Sequence, residues 1–273
     1  MVVQHNLTAM NSNRMLGLTT ATQAKSTEKL SSGYQINRAA DDAAGLSISE
    51  KMRRQVRGLT QATKNAQDGI SMAQTAEGAL NEVHDMLQRI NELAVKGENG
   101  TLKSDDRDYI NSEVQQLMSE IDRVASTTTF NEQNLLDGTG GDGNGTFELQ
   151  VGAESGQHIT LTIGAMDCAT IGATGDATTA ENSAALNAAT KAAIQNVSRQ
   201  RSDIGAVQNR LEHTVNNLNN VVENTTSAES TIRDTDMATE MVRYSNNNIL
   251  SQAGQSMLAQ ANQSNQGVLS LLG

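Results

Sequence analysis

Residues 62–94 read ATKNAQDGISMAQTAEGALNEVHDMLQRINELA. Ala62, Ala66, Gly69, Ala73, Ala76, Leu80, Val83, Leu87, Ile90 and Ala94 recur there in alternating steps of four and three. A helix turns once in 3.6 residues, so this spacing holds one apolar seam against a partner along the whole run. It predicts a helix over about 45–96, roughly 75 Å long at 1.5 Å per residue. Ala and Gly in the first half imply close backbone approach. Leu80, Val83, Leu87 and Ile90 in the second half imply a wider core.

The same pattern returns over about 183–230. Val197, Ile204, Leu211, Leu218, Thr225 and Ile232 recur every seven residues, with Gln200, Val207, Thr214, Val221 and Ala228 in the second seam position. Between the two runs, Gly97-Glu98-Asn99-Gly100 breaks the first helix. Ser104 is expected as the N-cap of a helix over 104–126, with Asp105 and Asp106 in its first turn. Ile110, Val114, Leu117, Ile121 and Val124 share one face of it. The short connection makes it antiparallel to the first helix.

Residues 127–182 change character. Gly138 to Gly145 form a flexible loop, and Thr146–Val151 and His158–Ile163 alternate apolar and polar residues around Glu154-Ser155-Gly156. That predicts one β-hairpin. Residues 164–182 are rich in Gly, Ala and Thr and are expected as an exposed loop.

Both ends carry thin apolar stripes. Leu7, Met10, Leu18, Ala21 and Ala24 mark a weak helix that stops at Ser31-Ser32-Gly33. Leu250, Ala253, Met257 and Ala261 mark another, followed by Val268-Leu269-Ser270-Leu271-Leu272. Such stripes fit frayed tails, or helices that bury their apolar side only against copies of themselves. The expected segments are 1–43, 44–165, 166–182, 183–232 and 233–273. The expected fold is mainly α, a long antiparallel helical bundle formed by the two halves, with one small β-hairpin region.

Composition supports this. The chain has 273 residues with 32 Ala, no Pro, no Trp, and only Tyr34, Tyr109, Tyr244, Phe130 and Phe147 as aromatics. Such a chain packs helices closely and does not build a core of large side chains throughout. The net charge is −11, which argues against nucleic acid as a partner. Residues 1–60 carry eight Lys/Arg against four acids, whereas the last 60 carry five acids against Arg233 and Arg243. Opposite signs suit ends that meet, within or between chains, or arise by chance on solvated faces. No stretch approaches 18 apolar residues, so membrane insertion is not expected. Met1 to Arg14 lacks a basic region and an apolar run, so no cleaved signal peptide is expected.

No catalytic, cofactor or metal constellation is evident. His5, His84, His158 and His213 have no partner at metal-ligand spacing, and no phosphate loop or nucleophile elbow occurs. Asp41-Asp42 stands before a helix, where acids stabilise the N-terminus. Cys168 is either a reactive thiol, if exposed, or an unpaired residue without function.

Several runs resemble bacterial flagellins. INRAADDAAGLSISEKMRRQVRGL over 36–59, QRINELA over 88–94, EIDRV over 120–124 and Phe130-Asn131 resemble the N-terminal signature. GAVQNRL over 205–211, LAQANQ over 258–263 and the closing 268–272 resemble the C-terminal one. The resemblance covers about 1–165 and 183–273. It implies an extracellular filament subunit for motility, exported by a type III process, with the terminal segments forming an inner tube. The implied polymer core comprises Leu7, Met10, Leu18, Leu250, Met257, Leu269 and Leu272. The implied partners are other copies of the chain, an export chaperone, and filament cap and junction proteins. A host Toll-like receptor is also implied, with Arg89, Leu93 and Glu113 as the matching residues. Arg89 and Leu93 are expected on a flank beside the seam, with Glu113 level with Arg89. The chain departs from larger members in having only about 20 residues where they carry outer domains, in its Cys, and in lacking Pro near the C-terminus. A hook–filament junction protein, a flagellin-like peptidase or another helical-bundle scaffold are the alternatives. The first needs a long divergent centre and the second a metal motif in the central insert; neither is present.

Overall fold

The computed structural model describes residues 6–272, the side chains of 265–272 excepted. The expected contributions of Leu269 and Leu272 lie outside the described side chains. The elements are α1 (Leu7–Ser32), α2 (Ala43–Gly97), α3 (Ser104–Thr127), β1 (Thr129–Phe130), β2 (Gln133–Asn134), β3 (Thr146–Gln150), β4 (His158–Thr162), α4 (Cys168–Ile171), α5 (Ala180–Arg233) and α6 (Met237–Leu272). The chain forms two compact units, one of residues 1–54 with 224–273 and one of residues 55–223. The terminal unit thus takes in more than the expected 1–43 and 233–273, because the start of α2 and the end of α5 are tied to each other.

Local chemistry explains where the helices begin and end. Asp42 accepts from the N–H groups of Ala44 and Gly45 at 3.0 and 2.9 Å and so caps α2 as expected of the acidic pair, whereas Asp41 accepts from the Arg38 N–H at 3.1 Å. Gly33 closes α1 in the left-handed region at φ 76°, its N–H bonded to the Lys29 carbonyl. Beyond the end of α2, Arg107 reaches back from α3 and donates to the carbonyls of Gly97, Asn99 and Leu102 at 3.0 to 3.1 Å. The last carbonyl of α2, that of Gly97, thereby gains a charged donor, and the connection to α3 is pinned by the same guanidinium. Ser104 is not the cap of α3 but its first residue. Lys103 holds the cap position, and its N–H donates to Asp106 at 3.2 Å.

In the second unit, α2 and α5 are antiparallel. Asn187 bonds Glu98, Arg201 faces Glu77, and Leu211 and Leu218 share clusters with Ala66 and with Leu59 and Ala62 respectively. Positions on α5 therefore rise as those on α2 fall. Leu80, Val83, Leu87, Ile90, Ile204 and Leu211 are fully buried, and Leu218 nearly so. The Ala and Gly half of the α2 seam is approached by the hairpin as well as by α5. A Cβ on Gly69 would meet Leu149 Cδ1 at 2.4 Å, and one on Gly58 would meet Ala153 Cβ at 2.9 Å.

Two expectations for the middle are corrected. β3 and β4 pair as expected, antiparallel with Phe147 opposite Leu161, but β1 and β2 form a second antiparallel pair. Its two-residue loop puts Asn131 and Glu132 at φ 49° and 65°, as a tight hairpin turn with matching twist requires. Strands of two residues carry no readable alternation. Residues 166–182 are not simply an exposed loop. Met166, Cys168, Ile171, Ala173 and Ala177 are buried in the main core. Asp122 accepts from the Cys168 N–H at 2.8 Å, and Asn111 from the Ala177 N–H at 3.1 Å. Side chains of α3 thus satisfy a strap whose small residues let it lie close.

Candidate functional site

In the terminal unit α1 runs antiparallel to α6. Asn6 accepts from the Ala9 N–H at 3.0 Å and donates to the Ala261 carbonyl at 3.0 Å. At the other end Gly33 and Gln35 exchange backbone bonds with Thr235 and Arg233 at 2.9 and 2.7 Å. Arg233 lies 4.8 Å from the centre of the Tyr34 ring, close enough for a cation–π contact. Arg233 also donates to Glu50 at 2.8 Å, and Arg53 approaches Glu229 to 3.4 Å. The two terminal segments therefore meet through ion pairs. Arg53–Glu229 has the expected polarity, and Arg233–Glu50 has the reverse. Asp236 starts α6, accepting from the Thr239 hydroxyl at 2.7 Å and from the N–H groups of Thr239 and Ala238. The Thr239 hydroxyl foremost holds this carboxylate below its ordinary pKa.

This pairing leaves much apolar surface bare. Leu7, Met10, Leu18, Leu250 and Met257 are between 57% and 67% exposed. Met15, Leu16, Leu250, Ala253, Gly254 and Met257, with the polar Asn11, Ser12 and Thr19, line an open groove of about 320 Å³ between α1 and α6. Met15, Ile48, Met237, Met241, Val242 and Ile249 are exposed too, though none of them stood in the expected polymer core. Of the large apolar side chains that are exposed among the described residues, all but Val95 and Tyr109 lie in the terminal unit. Met15 and Ile249 have a readable signal, since each lies one helical turn or less from an expected core residue.

In the second unit, Arg89 Nε and Nη2 donate to Glu113 Oε1 at 3.0 and 2.8 Å, and Nη1 donates to Glu92 at 3.1 Å. Glu113 foremost, then Glu92, raises the Arg89 pKa further. All three side chains are exposed or half-exposed. Lys96, Leu102, Asp106, Tyr109 and Ile110 join Glu113 around an open groove of about 360 Å³. Leu93 corrects an expectation: it is 3% exposed and belongs to the core, not to a flank. Met72, Ala79, Met86 and Leu93 recur every seven residues as a second stripe beside the first seam, packed into the cluster that α3 joins through Ile110, Val114, Met118, Ile121 and Ala125. A third helix widens the face that α2 buries.

Cys168 is buried and donates to the Met118 carbonyl at 3.3 Å. Burial, then Asp122 and Asp167, pushes its pKa up to about 12, so the nucleophilic thiolate is suppressed.

Two family models match the chain. Residues 3–140 match the bacterial flagellin N-terminal helical region and residues 187–272 the bacterial flagellin C-terminal helical region. The chain is 53% identical to the flagellin of Halalkalibacterium halodurans over 275 residues, covering all of both chains. It is 49% identical to the flagellar filament 31.3 kDa core protein of Treponema maltophilum over 285 residues, again covering all of both. The crystal structure of Bacillus cereus flagellin superposes with a TM-score of 0.52 at 31% identity, covering 57% of this chain and 88% of that one.

Proposed function

This chain belongs to the bacterial flagellin family and is a structural subunit of the extracellular flagellar filament, and from that premise we propose that the bare faces of α1 and α6 are its assembly surface. One observation carries the reading: exposed large apolar side chains concentrate in the terminal unit. Apolar side chains in water are unfavourable by about 25 cal/mol per Å², so copies of the unit gain by covering them. The terminal helices gain most of their burial in the polymer and complete their folding there. The subunit acts through assembly and not through catalysis. An export chaperone and the cap and junction proteins of the filament take up the same surface before a second copy does. No described helix is long and apolar enough to cross a membrane.

Purified monomer added to filament fragments tests this by electron microscopy. The wild-type chain should extend the fragments into long filaments. The full-length variant carrying Leu18→Asp and Leu250→Asp should stay monomeric with its second unit folded. Normal filament growth by that variant would overturn the reading.

A second surface is favoured by the Arg89–Glu113–Glu92 cluster. Its preset, exposed guanidinium fits a receptor anchor, since Arg is enriched among interface hot spots. The partner is a Toll-like receptor of the host, contacted through Arg89 and Glu113, with Leu93 acting only by supporting the helix beneath them.

A further inference from the structure

The chain has 11 Met; Met1 lies outside the described residues, Met52 is half-buried in the terminal unit, and exposure divides the other nine. Met72, Met118 and Met166 in the second unit are 8% exposed or less, and Met86 packs half-buried against the same core. Met10, Met15, Met237, Met241 and Met257 are between 47% and 64% exposed, and all five lie in the terminal unit. Met15 and Met257 line the groove between α1 and α6. The one other sulfur-bearing side chain, Cys168, is buried in the second unit with its thiol held protonated.

Exposed thioethers are open to two-electron oxidants, whereas buried ones are shielded. Resting on the reading of α1 and α6 as the assembly surface, we propose that Met10, Met15, Met237, Met241 and Met257 form an oxidation site through which a peroxide bars the free subunit from the filament. The sulfur lone pair attacks one peroxide oxygen and the O–O bond breaks. Sulfur gains that oxygen and is oxidised to the sulfoxide, while the other oxygen leaves as water after proton transfer. Each sulfoxide sets a strong, bulkier acceptor among the exposed Leu, Ile and Met side chains that assembly would cover, where burying it disfavours contact with a second copy. Once a subunit is in the filament, the same sulfurs are covered. Sensitivity is thus confined to the subunit before incorporation, and it is reversible by sulfoxide reduction.

The test treats purified full-length monomer with limiting hydrogen peroxide and maps oxygen addition by peptide mass spectrometry. The five terminal methionines should oxidise at least about fivefold faster than Met72, Met118 and Met166. Monomer oxidised at all five should extend filament fragments at least about tenfold more slowly, and methionine sulfoxide reductases of both epimer specificities should restore the rate. A full-length variant with all five changed to Leu should extend fragments equally well before and after peroxide. If that variant does not assemble, reductase rescue of the wild-type chain decides alone. Normal extension by fully oxidised monomer, oxidation of all methionines at one rate, or failure of rescue would overturn the proposal. Normal extension by oxidised monomer alongside failure of the Leu18→Asp, Leu250→Asp chain overturns this inference only. Growth by that double variant overturns the assembly reading itself.

Discussion

The Cys168 thiol is buried, bonded to the Met118 carbonyl, and pushed up to about 12. In the unfolded chain the same group ionises near 8.5. A raised folded value means that its contribution to stability is complete below about 8.5 and is lost as pH rises towards 12. Thermal unfolding followed from pH 7 to 10 should show stability falling over the upper part of that range, and Cys168→Ala should flatten the fall. A thiol reagent at pH 8 should label Cys168 in the folded chain at less than about a tenth of its rate in denaturant. Rapid labelling of the folded chain would contradict the burial. Arg89 stands at the other extreme, on the surface with two carboxylates. Arg89→Ala should leave monomer melting unchanged, since exposed ion pairs add little to stability. It should weaken binding of monomer to the receptor ectodomain by at least about fivefold. Unchanged binding in solution would remove Arg89 from the interface.

At the level of elements, the seams invite a direct contrast. Leu87 and Leu211 are fully buried, one on α2 and one on α5, while Ser155 is exposed in the turn between β3 and β4. Leu87→Ala or Leu211→Ala should cost about 2–5 kcal/mol, and Asp at either position should unfold the second unit. Ser155→Asp should change stability by less than about 0.5 kcal/mol. Chemical denaturation of Leu87→Ala, Leu211→Ala and Ser155→Asp checks this, and equal midpoints would refute the seam assignment. The contrast also marks what the sequence could reveal. The α2 and α5 seams were legible because a seven-residue period repeats for many turns and local accidents average out. The burial of Leu93 escapes that period because one period describes one contact face, and α2 meets a second where α3 covers it. The stripe at Met72, Ala79, Met86 and Leu93 carries that signal, diluted by an Ala. The strap at 166–182 is not legible in the sequence because its apolar residues follow neither helical nor strand spacing and take their order from donors and acceptors on α3 and α5. In the proposed assembly surface, Leu7, Met10, Leu18, Leu250 and Met257 are readable as thin stripes. Met237, Met241 and Val242 are not, since they sit off those stripes and only the α1–α6 pairing shows them bare.

For the whole molecule, the decisive comparison is between the terminal unit and the rest. The second unit holds a continuous core of α2, α3, the hairpins, the strap and α5. The terminal helices bury few large apolar side chains of their own; Ser26, Glu240, Ser251 and Ala261 are among the buried residues there. Ordering each residue costs about 1–2 kcal/mol of backbone entropy, which apolar burial must offset at about 25 cal/mol per Å². Within one chain the α1–α6 pair has little such area to bury, because its Leu, Ile and Met side chains face water. In the proposed assembly, stacking many copies converts those side chains into interior without any further change in the second unit. Removal of residues 1–40 and 235–273 should therefore separate folding from assembly. The shortened chain should keep a cooperative melting transition within a few degrees of the full-length monomer, because the main core is untouched. It should remain monomeric in analytical ultracentrifugation at concentrations where the full chain grows on filament fragments. It should also keep the slowly exchanging amides of the full-length monomer, and in the full chain the amides of α1 and α6 should become protected on polymerisation rather than in the monomer. Filaments formed by the shortened chain would show that the second unit alone carries assembly. Loss of its cooperative transition would show instead that α1 and α6 are needed for the core to fold.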